Sequence, residues 1–343
     1  MDPAALDYAL DPALIAQHPL PARDGGRLLV LGRGRGVLTH AAFRELGAWL
    51  APGDLLVVND AAVIPARLAG RRASGGGVEI LLTEPLDDDG TWVCLARKSG
   101  RLRAGERIEF AADFAGVWSG VADPPFGSIR FEGGDAMAAL GRYGRVPLPP
   151  YIARPEGPGN EDAVRYQTVF ARVPGAIAAP TAGLHFTDAL LASLAARGVA
   201  HVALTLLVGA GTFLPIRADA VEEHRVPAER YDVPPATAAA IAATRARGGR
   251  VVAVGTTTVR ALESAVDGEG RVRAGAGRTA LVIAPGHRYR AVDALVTNLH
   301  LPRSSLLALV AAFAGTEAML AAYAAAAQAG YRFYSYGDAM LIL

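Results

Sequence analysis

A chain of 343 residues, 52% of them hydrophobic and 20% charged, is too apolar for a disordered protein and long enough for two domains. A net charge of +1 does not advertise nucleic-acid binding for the molecule as a whole, so any phosphate contacts must come from local arginine clusters. The single cysteine, Cys94, excludes an internal disulfide framework, and the acidic start MDPAALDYALD lacks an apolar leader. A cytoplasmic protein is expected.

In chain order, RLLVL and DLLVVND read as buried strands, with THAAFRELGAWLAPG between them as a helix ended by Pro-Gly. From about Ala66 to Pro150 the character changes. VEILLTE and TWVCLAR flank the acidic turn PLDDDG as a hairpin, and RIEF, GVWSGVA and GSIRFEG continue as short strands. This predicts a small barrel or curled sheet. A short helix, DAMAALGRYG, leads out, and RPEGPGNED reads as a polar Gly/Pro loop with the composition of a mobile segment.

After residue 160 strands alternate with helices, the pattern of an α/β domain. The expected organisation is a discontinuous α/β domain, residues 1–65 and 151–343, carrying an inserted all-β barrel-like domain, residues 66–150. The alanine-rich ATAAAIAAT and LAAYAAAAQA read as amphipathic helices rather than membrane spans. The seven histidines are scattered and unaccompanied by cysteines, so a metal-free site is expected.

IAAPTAGLHFT, residues 177–187, brings small residues around His185 and ends in Thr187-Asp188, a helix N-cap signal. One reading is a backbone that approaches a ligand, with Gly183 leaving room. The other, equally weighted, is an ordinary strand-to-helix connection with a buried histidine. TLLVGAGTFLP, VVAVGTTTVRALES, VTNLHLPRSSLLALV and YRFYSYGDAM share the design of an apolar strand running into a loop of Gly, Thr or Ser. In α/β domains ligands bind beyond the carboxyl ends of strands, so these loops should gather at one rim. The threonines after Gly255 open a helix and make an anion site. Neither a dinucleotide fingerprint nor a P-loop is present. A pocket for a small zwitterion bearing a nucleoside follows. Arg67, Arg71, Arg72, Arg97 and Arg101 are candidates for phosphate contact, or else line solvated hairpin faces.

Together, DYALDPALIAQHPLPARDGGRLLVL, GDLLVVND with VIPARL, RYQTVFA, APTAGLHFT, VGAGTF, VGTTTVRALES, VDALVTNLHLPRSSLLALVAAFAG and YRFYSYGDAMLI resemble the S-adenosylmethionine:tRNA ribosyltransferase-isomerases, in order from about Asp7 to Leu343. The resemblance implies an α/β domain interrupted by a barrel. It also implies S-adenosylmethionine as ribosyl donor, and the aminomethyl group of 7-aminomethyl-7-deazaguanine at the tRNA wobble position as acceptor. The products would be epoxyqueuosine, adenine and methionine, with no metal required. Carried onto this chain, it makes His185, Asp338 and His300 candidates for proton handling. Thr181, Gly183, Gly209, Gly211, Thr212, Thr256 and Thr257 become donor-binding candidates. The five arginines become contacts for a tRNA anticodon stem-loop, and a monomer is expected.

The chain departs from the family pattern in places. Ala61 and Ala62 stand where a hydroxyl and a cation are usual, Val164 where a glutamate often precedes YQTV, and Leu207 and Pro227 where histidines are usual. If these positions line the acceptor site, a second reading is open, an enzyme of the same scaffold with a small-molecule acceptor. A third is a non-catalytic S-adenosylmethionine-binding protein.

Overall fold

The structure, a computed structural model, describes residues 1–34, 36–86, 90–98, 101–132, 135–213, 216 and 218–343, the side chains of 98, 122, 123, 212 and 213 excepted. Among these, a nine-stranded sheet runs in the order Gly275–Thr279, Glu229–Val233, Ala200–Leu206, Leu55–Asn59, Val251–Val254, Ala294–Asn298, Ala339–Ile342, Arg27–Leu31, Leu38–Ala42. Its central pairs, Leu55–Asn59 with Ala200–Leu206 and with Val251–Val254, are parallel. Such strands are covered on both faces, which is why they read as unbroken apolar runs. Leu55 and Val57 pack into one core with the helices Pro235–Ala246, Thr256–Ser264, Ser305–Ala314 and Thr316–Gln328. Leu56 and Val58, pointing the other way, pack with Phe43, Leu46, Leu190 and Leu194.

Between Arg67 and Glu132, six strands close into a barrel. Its interior alternates as expected for half-buried strands: Leu68, Ile80, Leu82, Cys94 and Ile108 point inward. Burial pushes the Cys94 thiol up to about 12, so it stays protonated and unreactive. The architecture is α/β with a closed antiparallel barrel. Strands from both sides of the barrel segment share the one large sheet.

Three local expectations are corrected. THAAFRELGAWLAPG is not an α-helix: Leu38–Ala42 forms an edge strand antiparallel to Arg27–Leu31, and only Phe43–Ala48 turns, as a 3-10 helix. Edge pairing overrides the helical pattern of the first residues. YRFYSYGDAM has its order reversed, with an irregular segment leading into the strand Ala339–Ile342 rather than out of one. In RPEGPGNED, a short helix begins at Asn160, stapled by paired hydrogen bonds between Arg154 and Asp162 at 2.9 Å.

No single helix among the described residues is long and apolar enough to cross a membrane.

Candidate active site

The strand-end loops do converge. Val251–Val254 ends in Gly255, whose φ of 92° is a conformation that L side chains rarely adopt, and the helix Thr256–Ser264 starts there. The opening N–H groups of this helix have no side-chain cap. Thr258 turns back to donate to the Val254 carbonyl at 2.8 Å. Thr256 and Thr257 instead line a pocket of about 90 Å³, together with Thr181, Asn298, His300 and Tyr334. Asn59, at the end of its own strand, holds Thr257 Oγ1 at 3.3 Å and clasps the Leu206 backbone through both ends of its amide.

Asn298 organises the opposite wall. Its Oδ1 accepts from the Thr181 hydroxyl at 2.9 Å, while Nδ2 donates to the Tyr334 carbonyl at 3.2 Å and lies 3.2 Å from His185 Nε2. Tyr334 has a φ of 71°, rare for a bulky side chain. Such strain persists where surroundings over-determine it, and it clusters at functional sites.

His300 lines the pocket with Nε2 2.8 Å from Thr297 Oγ1. Its backbone is pinned from both sides, the N–H donating to Tyr323 and the carbonyl accepting from Tyr8. Burial pushes His300 down to about 4. His185 also falls to about 4, again from burial, with the Asp338 carboxylate opposing that shift only in part. Both imidazoles are therefore neutral at pH 7.

The other candidates separate. His185 lies behind Asn298, facing a crevice that Arg23, Arg165 and Tyr336 also line. Asp338 is 2% exposed, and its oxygens accept from the backbone N–H groups of Arg27 and Arg332, each at 2.8 Å, and from the Arg27 guanidinium. Gly183 does not reach the pocket; a Cβ there would meet Thr168 at 2.9 Å. Gly211 borders a separate crevice beside Glu229 and Arg260. The Thr212 side chain lies outside the described residues.

Gly209 faces a second, much larger space. A cleft of about 1240 Å³ lies between the barrel and the sheet, with Trp92 and Phe126 on the barrel side and Leu207, Gly209 and Pro227 opposite. Val208, between Leu207 and Gly209, lines the small pocket instead. Three consecutive residues thus form the wall between the two spaces.

The departures noted in the sequence divide accordingly. Leu207 and Pro227 line the cleft. Ala61 and Ala62 pair in parallel with Val173 and Pro174, and Pro174 itself lies on the cleft wall. Val164 is 66% exposed on the helix Asn160–Arg165 and borders neither space.

On the barrel, Arg71, Arg97 and Arg101 are exposed. Arg67 pairs with Glu79 at 3.5 Å, and Arg72 is tied to Glu106 at 2.5 Å. Arg97 sits opposite Glu79, five residues along its strand from Glu84 on the cleft rim. At about 3.3 Å per residue this is roughly 16 Å.

Sequence reasoning missed Asn298, Tyr334 and Ser335 as pocket residues, although all lie in segments singled out as strand-end loops. An amide directly after the apolar run ALVT was the available signal for Asn298.

The strand-end loops of the α/β sheet enclose a threonine- and histidine-lined pocket, backed by a second cleft, the place where α/β proteins bind their ligands. The chain matches the family described as queuosine biosynthesis protein over residues 4–342 and belongs to that family. It is 56% identical over 341 residues to the S-adenosylmethionine:tRNA ribosyltransferase-isomerase of Anaeromyxobacter sp. (strain K), covering 98% of each chain. It is 52% identical over 338 residues to the protein of that name from Pelobacter propionicus, again covering 98% of each. A crystal structure of the S-adenosylmethionine tRNA ribosyltransferase from Thermotoga maritima matches with a TM-score of 0.57 and 38% identity, covering 99% of this chain and 100% of that one.

Proposed function

We propose that this protein transfers and isomerises the ribosyl group of S-adenosylmethionine onto 7-aminomethyl-7-deazaguanine in tRNA, giving epoxyqueuosine-tRNA, adenine and methionine. The observation that carries the reading is 56% identity along 98% of the chain to a relative of that name. The donor occupies the pocket at Thr181, Thr256 and Thr257, where uncapped N–H groups and hydroxyls meet its oxygens. At about 90 Å³ the pocket as it stands has room for part of such a ligand, beside the packed rings of Tyr151 and Tyr334.

The chemistry follows from the donor. Its sulfonium acidifies the adjacent 5′-carbon. Loss of that proton starts the elimination of adenine, the acceptor amine attacks, and methionine leaves as the epoxide closes. A neutral imidazole can accept the proton and, as the imidazolium, return it. With its pKa pushed down to about 4 it is a weak base but a strong acid for the return. His300 is the nearer candidate, with its second ring nitrogen unpartnered among the described residues. His185 acts through Asn298, and Asp338 fixes the backbone at Arg27 and Arg332 around it.

Residues 1–65 and 151–343 form one discontinuous domain with residues 66–150 inserted, the protein acts in the cytoplasm as a monomer, and exposed barrel arginines hold phosphates of the anticodon stem-loop. A cleft larger than the usual small-molecule site, about 300–1,000 Å³, favours a polynucleotide acceptor over a small one.

Incubation with S-adenosylmethionine, with and without tRNA carrying the aminomethyl base, tests the reading. Adenine, methionine and epoxyqueuosine should appear only with that tRNA. Their absence under all conditions would overturn it.

A further inference from the structure

Among the described residues that line the cleft between barrel and sheet, one buried polar atom is left without a hydrogen-bond partner. His224 is 8% exposed, and its buried Nε2 has no hydrogen-bond partner among the described residues. Leaving a buried donor or acceptor unmade is costly, so such a group calls for an explanation. The ring follows the short 3-10 helix Val221–Glu223 and lines the cleft between Val226 and Glu223. Burial lowers its pKa, which keeps it neutral and able to serve as both donor and acceptor.

The surroundings narrow the choice of ligand. Trp92, Phe126, Leu207 and Pro174 give the cleft flat apolar walls, the setting in which a heterocycle stacks. Leu86, 58% exposed, and Met137, 38% exposed, extend the apolar surface to the mouth, and Arg225 stands exposed beside them. Leu207 and Gly209 face the cleft while Val208 faces the small pocket, so occupants of the two spaces would be separated by a single stretch of backbone. Enzymes that act on a base of a polynucleotide take that base out of its stack and read its edge in such a recess.

We infer that the cleft receives the unstacked acceptor base, and that His224 is the side chain that hydrogen-bonds its edge. The inference rests on the tRNA-modifying reading above and adds to it where the base goes and what recognises it. His224 is thus a substrate-binding residue, distinct from the groups around the donor.

The test compares His224→Ala, His224→Gln and Ser128→Trp, the last filling the barrel wall of the cleft with a bulky ring. The probes are S-adenosylmethionine alone, by calorimetry, and tRNA carrying the aminomethyl base, in steady-state turnover. His224→Ala should raise KM for tRNA about ten- to a hundredfold, as expected for one unmade buried hydrogen bond. Donor affinity should be unchanged, and this also reports an intact fold. His224→Gln, which keeps a donor and an acceptor, should recover a substantial part. Ser128→Trp should raise KM for tRNA with donor affinity again intact. Unchanged tRNA kinetics in both His224→Ala and Ser128→Trp would overturn the inference. So would equal losses of donor and tRNA binding. If one variant fails to fold, the other decides. A wild-type protein that leaves tRNA unmodified would sink the functional reading itself, a different outcome from an active wild type with indifferent variants.

Discussion

Nδ2 of Asn298 lies 3.2 Å from Nε2 of His185, and the rest of the amide fixes the direction of that hydrogen bond. The Tyr334 carbonyl can only accept, so the amide nitrogen must face it, and His185 Nε2 must then accept as well. The His185 proton therefore sits on Nδ1. Asn298→Asp would place an acceptor against both partners, inverting the tautomer and repelling the Tyr334 carbonyl. Single-turnover release of adenine should slow by about 10²-fold, the lower end of the range for disturbed proton transfer. A rate within twofold of wild type would show that His185 takes no part.

His185 and His300 predict how stability varies with pH. Each has a folded pKa of about 4, below the ordinary value of 6.5. The unfolded chain thus binds more protons than the folded one between these values, and stability rises with pH across that window. Urea midpoints should fall as pH drops from about 6.5 to 4. His300→Asn should flatten the slope, and an unaltered slope in that variant would count against a buried neutral His300.

Thr256 and Thr257 bear on the donor alone. Replacing both with alanine should weaken S-adenosylmethionine binding by about tenfold or more, each hydroxyl being worth about 1 kcal/mol. Undiminished affinity by calorimetry would remove the donor from this pocket.

Glu229 and Arg260, 3% and 8% exposed, form an ion pair beneath the strand-end loop, and Glu229 Oε1 also accepts from the Gly209 N–H at 2.8 Å. Glu229→Gln keeps that backbone contact but leaves Arg260 buried without its counter-charge. A loss of about 3–5 kcal/mol is expected from chemical denaturation. A change under 1 kcal/mol would mean that Arg260 finds water on relaxation.

The exposed barrel arginines make a prediction that separates them from their paired neighbours. Charge removal at Arg71, Arg97 or Arg101 should lower the salt dependence of tRNA binding by just under one unit per true phosphate contact. Arg72→Ala should mainly loosen the barrel by stripping Glu106 of its partner. Equal slopes in all variants would make the patch a solvated face.

Much of this was legible in the residues. The alternation of Leu55, Leu56, Val57 and Val58 between two cores is what an unbroken apolar strand requires, and GTTT after VVAV announced a helix opening at a strand end. The Thr187 cap was equally plain, its side chain accepting from Leu190 N. What stayed hidden depended on partners distant in the chain. Asp338 is an acidic residue in a promising motif until Arg27, 311 positions away, is seen to bind it. Phe43–Ala48 carries a helical pattern, but the preceding residues are claimed by an edge strand. His224 stands in a segment that resembles the family pattern, but that its Nε2 lacks a partner could not be read from the sequence, because a missing partner is a property of the fold.

The wall formed by Leu207, Val208 and Gly209 carries a consequence of parity. Alternate residues face alternate chambers, so a single deletion there would exchange the two linings, as a one-residue slip does in a strand. The residue count of this septum, more than the identity of any one side chain, is what keeps the two linings apart. Variation between relatives should accordingly preserve its length to the residue while letting its chemistry drift.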